Sequence, residues 1–365
     1  MKSSHKDNMI KIAHCMCSLE GGVGKVVMNY FDNMPSEDYE VHIITQAVGS
    51  DKYIEMYEKR GYIIHVVPSK KESLFLNLKN TYRIFKDEDI DIVHCHMTVT
   101  NVFPLFIATL AGIKVRISHS HLAANKNIFE SFLCFLGKLF ATDRFACGQE
   151  AGEAIFGKSS FRIIQNAIDL KRYKYSEEVR DTERKKLGLA NNKVICHVGR
   201  FSSQKNHDFL IDVFEKLHQE DSGYKLMLIG DGELLEKVKT KVEQIGLTEH
   251  VLFLGLIDDV NIKLQASDVF ILPSLFEGLC LSAIEAQASG IPCVLSDTVD
   301  YRTKINENVI LVESFDIDKW KKNIQDAFLE KRCTSQQKLV EEGFDIETEA
   351  KRLNDFYKES LSRKR

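Results

Sequence analysis

Short apolar runs recur along the chain, separated by amphipathic stretches of helical period. In the first half Ile10–Cys15, Val41–Thr45, Tyr62–Val67, Asp91–Cys95 and Val115–His119 read as strands, and Arg144–Cys147 and Phe161–Ile164 extend the series. A second series follows in Val194–Val198, Lys225–Ile229, Val251–Gly255, Asp268–Leu272 and Cys293–Asp297. Strands that alternate with helices build doubly wound parallel sheets, and such sheets bind ligands beyond the carboxyl ends of their strands. The pattern therefore predicts an α/β protein with one such sheet in each half. Two charged segments punctuate it: Glu177–Lys186, expected as a solvated helix, and Ile346–Ser362, expected as an amphipathic one.

The most informative stretch runs from Pro273 to Pro292. After the Asp268–Leu272 strand come a loop holding Glu277 and Gly278, then a helix expected from Leu279 to Ala288, ended by Gly290 and Pro292. A helix that starts at a sheet's mouth points free N–H groups at any anion there. Glu277 lies just before that start and Glu285 about two turns inside it. Two carboxylates at this spacing are common on charged helices, and alone they identify nothing.

Composition bounds the reading. With 365 residues, 44% hydrophobic and 28% charged, the chain is long enough for two domains with cores of their own. A net charge of −4 gives no general case for nucleic acid. Nine cysteines without a C-x-x-C pair suggest a reducing compartment and no zinc site, and no apolar run is long enough to span a bilayer. A cytoplasmic protein is expected. Two segments are sticky enough to lie on a membrane surface, Ser69–Lys86 with five basic residues against one acidic before Asp87, and the strongly apolar Asn127–Phe140. Both patterns also suit amphipathic or core helices.

Candidate chemistry sits at the strand ends. Leu19-Glu20-Gly21-Gly22-Val23-Gly24-Lys25-Val26 resembles a phosphate loop, but Val26 stands where the magnesium-binding hydroxyl belongs and Leu19 where the first glycine belongs. Gly21 and Gly22 then serve to let backbone approach a ligand closely. His94 and His96 follow one strand, His119 and His121 another. With no carboxylate or cysteine completing a ligand set, they are expected as hydrogen-bonding groups at a cleft rim rather than as metal ligands. The second half opens with Val198-Gly199-Arg200-Phe201-Ser202-Ser203-Gln204-Lys205-Asn206, which sets two cations five residues apart between a strand and a helix. Fixed positive charge of this kind suits a diphosphate leaving group. Lys225–Ile229 runs into the turn Gly230-Asp231-Gly232.

The frame Pro273-Ser274-x-x-Glu277-Gly278 with Glu285-Ala286 seven residues on, together with Val198-Gly199-Arg200, Lys205-Asn206, Gly230-x-Gly232 and Asn166-Ala167-Ile168-Asp169, resembles the retaining glycosyltransferases of family 4. Ile117-Ser118-His119-Ser120-His121 and Glu285-Ala286-Gln287-Ala288-Ser289-Gly290 are most similar to the branch that builds capsular polysaccharides and exopolysaccharides. The resemblance implies the GT-B fold: two Rossmann-like doubly wound domains facing across a cleft, at 9–168 and 169–345, with residues 346–365 crossing back to the first. It implies transfer of a hexose from a nucleotide-sugar, most simply a UDP-sugar, to a growing surface glycan or polyprenyl-linked glycan, without metal or other cofactor, and peripheral contact with the membrane. Glu277 would contact the donor sugar and Glu285 the ribose. The amides of Gly278, Leu279, Cys280 and Leu281 would face the diphosphate, with Arg200 and Lys205 as its cations. Gly21, Gly22, Gly230 and Ile257 would line the donor, the last near the base. His119 would lie by the reacting sugar and the acceptor, with His121 and His96 on the acceptor side. One departure is Cys280, where relatives commonly carry Pro or Gly. A sugar-nucleotide epimerase of the same fold, and a non-catalytic sugar-nucleotide-binding subunit, remain alternatives.

Overall fold

The computed structural model describes residues 9–121, 127–189 and 191–363. The chain forms two compact units, Met1–Ile168 together with Gly343–Arg365, and Asp169–Glu342.

In the first unit seven strands, β1 (Ile10–Met16), β2 (Tyr39–Thr45), β3 (Ile63–Val66), β4 (Ile92–Cys95), β5 (Val115–Ser120), β6 (Asp143–Ala146) and β7 (Arg162–Ile163), form a sheet in the order β3-β2-β1-β4-β5-β6-β7. Every pairing is parallel. Parallel strands need crossover helices on the sheet faces, so the middle strands are covered on both sides. Ile12, Ile92 and Ile117 are accordingly wholly buried. The segment expected to be sticky at Ser69–Lys86 is a helix, Lys70–Asp87, that opens with a capping box between Ser69 and Glu72 and breaks once at Ser73. Asn127 and Glu130 cap the helix Ile128–Phe140 in the same way. The last helix, Ile346–Ser362, begins at the Asp345 cap and belongs to this unit. Its Tyr357 is buried against Phe31 and Tyr39, and Lys358 pairs with Asp38 at 2.6 Å.

The second unit holds six strands, β8 (Lys193–Val198), β9 (Tyr224–Ile229), β10 (Val251–Gly255), β11 (Val269–Leu272), β12 (Cys293–Ser296) and β13 (Val309–Val312), in the order β10-β9-β8-β11-β12-β13, again all parallel. In both sheets the first strand in sequence is central and the order reverses beside it. That reversal leaves a crevice at the carboxyl edge. β13 has no counterpart in the sequence reading, because four apolar residues between Asn308 and Glu313 carry too short a signal.

The charged run Glu177–Lys186 is a helix, solvated on one side and packed on the other. Glu183 and Arg184 are buried. Lys263 Nζ lies 2.6 Å from Glu183 Oε1, and Arg184 Nη1 lies 3.2 Å from Asp268 Oδ2. Charge density alone does not show which side of a helix faces a neighbour.

Candidate active site

In the second unit the loops after three neighbouring strands are tied together by their backbones. Gly199 donates to the Ile229 carbonyl, Phe201 to that of Asp231, and Gly230 to that of Gly255. Gly230 has φ of 140°, and a Cβ there would lie 2.0 Å from the Gly199 carbonyl oxygen. Only glycine therefore fits where β8 and β9 end side by side. Ile257 is half-buried in the loop between β10 and the helix Val260–Ala266.

Arg200 leaves the end of β8 and is exposed. Lys205 ends a short 3₁₀ turn, Ser203–Lys205, and Asn206 takes the left-handed conformation so that the helix His207–Glu220 can start in a new direction. Lys205 Nζ lies 2.6 Å from Glu277 Oε1 and 3.6 Å from Cys280 Sγ, with little of either charged side chain exposed. Burial works against the ammonium, but the thiol of Cys280 and the carboxylate of Glu277 outweigh it and raise its pKa. Both predicted groups therefore meet in one ion pair.

The Glu277 loop is clamped from two sides. Gln204 accepts from the Leu275 N–H and donates to the Phe276 carbonyl, while Glu277 donates to Thr298 and accepts from Asp300. The helix spans Leu281–Ala288, starting two residues later than expected, with Cys280 in extended backbone as its N-cap. Gly278 and Leu279 thus lie in the loop, and Leu281 opens the helix. The cap side chain makes no bond to the helix backbone; Cys280 Sγ sits 3.3 Å from Ser282 Oγ.

Glu285 is wholly buried. Burial, followed by the nearby Glu285 carboxylate, pushes the Tyr173 phenol pKa well up. Tyr173 ends the turn Leu170–Tyr173, which Asp169 caps by accepting from the Arg172 N–H. Two residues on from Glu285, Gln287 anchors the helix, donating to the carbonyls of Ala283 and Thr303 and accepting from the N–H groups of Ile305 and Asn306. Neither Tyr173 nor Gln287 was among the sequence candidates. Tyr173 is legible only once the connector is known to turn back beneath the helix.

The remaining candidates lie in the first unit. Gly21, at φ of 102°, caps the helix Gly22–Asp32, and both glycines are exposed. Val26 is buried core, so no hydroxyl could serve a metal there. The histidines are not rim groups. His96 and His119 are buried, and only His121 is half-exposed. Alternation along β4 and β5 sends each pair to one face, and the β1–β4 register adds His14 beside His94. His96 Nε2 lies 2.9 Å from His14 Nδ1, His96 Nδ1 2.8 Å from His121 Nε2, His94 Nε2 3.0 Å from His119 Nδ1, and His94 Nδ1 2.8 Å from the Tyr357 hydroxyl. Burial drives the pKa of His94, His96 and His119 well below the ordinary value, that of His14 to about 3 and that of His121 to about 4. All five rings are neutral at pH 7. His14 was missed because strand order is invisible in the sequence.

The family model described as "Glycosyltransferase Family 4" matches residues 20–172, and "Glycosyl transferases group 1" matches residues 179–345. The protein EpsF of Bacillus subtilis (strain 168), named as a glycosyltransferase, is 30% identical over 98% of this chain and 97% of its own. An Escherichia coli UDP-Gal:alpha-D-GlcNAc-diphosphoundecaprenol alpha-1,3-galactosyltransferase is 28% identical over 98% of both. Among solved structures, Anabaena Alr3699/HepE in complex with UDP and glucose superposes with a TM-score of 0.78 at 19% identity, covering 96% of this chain and 99% of that one. The lipopolysaccharide glycosyltransferase WaaG superposes with a TM-score of 0.65 at 16% identity over 94% and 95%. These likenesses give the fold as GT-B, and with the near-complete match to EpsF and both family models they establish that the chain belongs to the family 4 glycosyltransferases.

Proposed function

We propose that the protein moves a hexose from a UDP-sugar to a lipid-linked or growing surface glycan, with retention of configuration and without a metal ion in the transfer step. The observation that carries this reading is the Lys205–Glu277 pair at the start of the helix that buries Glu285. One cation and two carboxylates fixed around a helix N-terminus suit a diphosphate, a sugar and a ribose respectively. The donor's diphosphate departs toward Arg200, Lys205 and the amides from Gly278 to Leu281. The acceptor hydroxyl attacks from that same face, and the departing phosphate takes its proton. Glu277 positions the sugar and steadies the oxocarbenium-like centre, while Glu285 holds the ribose and Gly230 and Ile257 the nucleotide. Gly21 and Gly22 let the first unit's backbone approach the donor, and His96, His119 and His121 serve the acceptor. The named substrates of the Escherichia coli relative, a UDP-sugar and a diphosphoundecaprenol glycan, support this choice of classes.

The test is transfer from labelled UDP-sugars to a polyprenyl-diphosphate glycan with EDTA present. A product whose new bond keeps the donor's anomeric configuration is expected. Inversion, strict dependence on added Mg²⁺, or interconversion of free sugars without an acceptor, as an epimerase would give, overturns the reading.

No helix among the described residues is long and apolar enough to cross a membrane. The helix Ile128–Phe140 nevertheless exposes Ile128, Phe129, Phe132, Phe135 and Leu139. Lys70–Asp87 exposes Phe75 beside Lys71, Lys79, Arg83 and Lys86. Both helices pack against Val102–Leu110, which itself exposes Phe106 and Leu110, so these side chains share one region of the first unit's surface. It suits the cytoplasmic leaflet that carries a lipid-linked acceptor. Co-sedimentation with anionic vesicles at low salt is expected, and its absence removes the membrane contact.

A further inference from the structure

The histidines of the first unit do more than bond to one another. Metal ligation by imidazole needs a neutral ring, a free lone pair on one nitrogen, and a partner that takes the proton on the other. His96, His119 and His121 bring three ring nitrogens within 4.8 Å of one another. The Nε2 of His119 is buried with no hydrogen-bond partner. The Nδ1 of His96 and the Nε2 of His121 face each other at 2.8 Å, where only one proton can lie between two lone pairs.

One set of tautomers in the cluster leaves three lone pairs for a metal. If His96 carries its proton on Nε2, it donates to His14 Nδ1 at 2.9 Å. If His119 carries its proton on Nδ1, it donates to His94 Nε2 at 3.0 Å, and His94 Nδ1–H donates in turn to the Tyr357 hydroxyl at 2.8 Å. With the proton of His121 on Nδ1, His96 Nδ1, His119 Nε2 and His121 Nε2 are three lone pairs, and the metal takes the place of the proton that otherwise lies between His96 and His121. His14, His94 and Tyr357 form the outer layer that orients them.

We infer that His96, His119 and His121 form a tris-histidine site for a divalent transition metal of the zinc class, backed by His14, His94 and Tyr357. Nitrogens bound tetrahedrally at about 2.0–2.1 Å sit roughly 3.4 Å apart. The close His96–His121 pair opens by about half an ångström, and the third nitrogen moves in. The inner trio His14, His94 and His96 also falls within 4.8 Å, but all three are buried. The outer trio has half-exposed His121 as its way in, and leaves a fourth position for water. Resting on the acceptor role proposed above, occupancy withdraws His119 and His121 from the acceptor, so metal inhibits transfer while sparing donor hydrolysis.

The test is titration of the metal-stripped full-length protein with Co²⁺, followed by visible absorption, because four-coordinate cobalt absorbs far more strongly than six-coordinate. One equivalent should develop the strong bands, and Zn²⁺ should bleach them. His121→Gln and His96→Gln should each weaken binding at least tenfold. His65→Gln, in the separate His42–His65–Glu88 group, should leave it unchanged. Only weak six-coordinate absorption by the unsubstituted protein, or strong bands that survive His121→Gln, overturns the site without any need for the buried variant to fold. Strong cobalt bands with transfer unaffected by Zn²⁺ would keep the site and instead remove the acceptor role of His119 and His121.

Discussion

At the scale of single residues, the donor site is built on charge that burial would ordinarily forbid. Lys205 and Glu277 are each mostly covered, and each is tolerable only beside the other. Lys205→Ala should therefore cost about 3–5 kcal/mol of stability as well as activity. Arg200→Ala, at an exposed position, should stay within about 0.5 kcal/mol of the unsubstituted protein. Both should lower kcat by ~10²–10³, since each removes charge from the leaving group. Urea melts alongside steady-state kinetics separate the two effects, and equal destabilisation by both substitutions would contradict this assignment. Tyr173→Phe is a narrower probe. It removes the hydroxyl near the buried Glu285 carboxylate, so a loss of about 1–3 kcal/mol and a raised donor KM with nearly unchanged kcat are expected. A fall in kcat at constant KM would give Glu285 a part in the chemistry instead of in binding.

Among elements, the helix Leu281–Ala288 carries most of the argument, and most of it was legible. The apolar strand before it, the glycine turn and the Gly290–Pro292 stop mark its place, and the charged frame marks its purpose. Its start was read two residues early, because Leu279 and Cys280 have helix-compatible side chains and no capping residue announces the boundary. Cys280 sits at φ of −86°, not far from what proline requires. Cys280→Pro should then keep the loop's backbone path, removing one N–H from the diphosphate site and the contacts with Lys205 and Ser282, so donor KM should rise by no more than about tenfold. A shift of orders of magnitude, read in the same kinetics, would mean that the thiol itself engages the donor. The strands were readable because parallel strands are apolar throughout. Their order was not, and only the order brings His14 of β1 to His94 of β4 and gathers five rings into one cluster.

Across the whole molecule, buried neutral histidines couple stability to pH. The folded pKa values of His14, His94, His96 and His119 lie below the unfolded value of about 6.5. Their contribution is therefore complete above pH 6.5. Below it the unfolded chain binds protons that the folded chain refuses, and stability falls by about 1.4 kcal/mol per pH unit for each group, until pH approaches about 3 for His14. Urea midpoints should be flat from pH 7 to 8 and drop steeply from 6 to 5. A midpoint that held through pH 5 would show that the rings accept protons in the folded state.

The central claim is that the second unit is a nucleotide-sugar site whose charge comes from protein side chains. The most direct measurement is thermal stabilisation by UDP-, GDP- and ADP-sugars in EDTA, for the unsubstituted protein and for Arg200→Ala. Stabilisation by UDP-sugars alone, lost in the variant, is the predicted result. No shift with any donor, or a shift that persists unchanged in Arg200→Ala, would contradict the account.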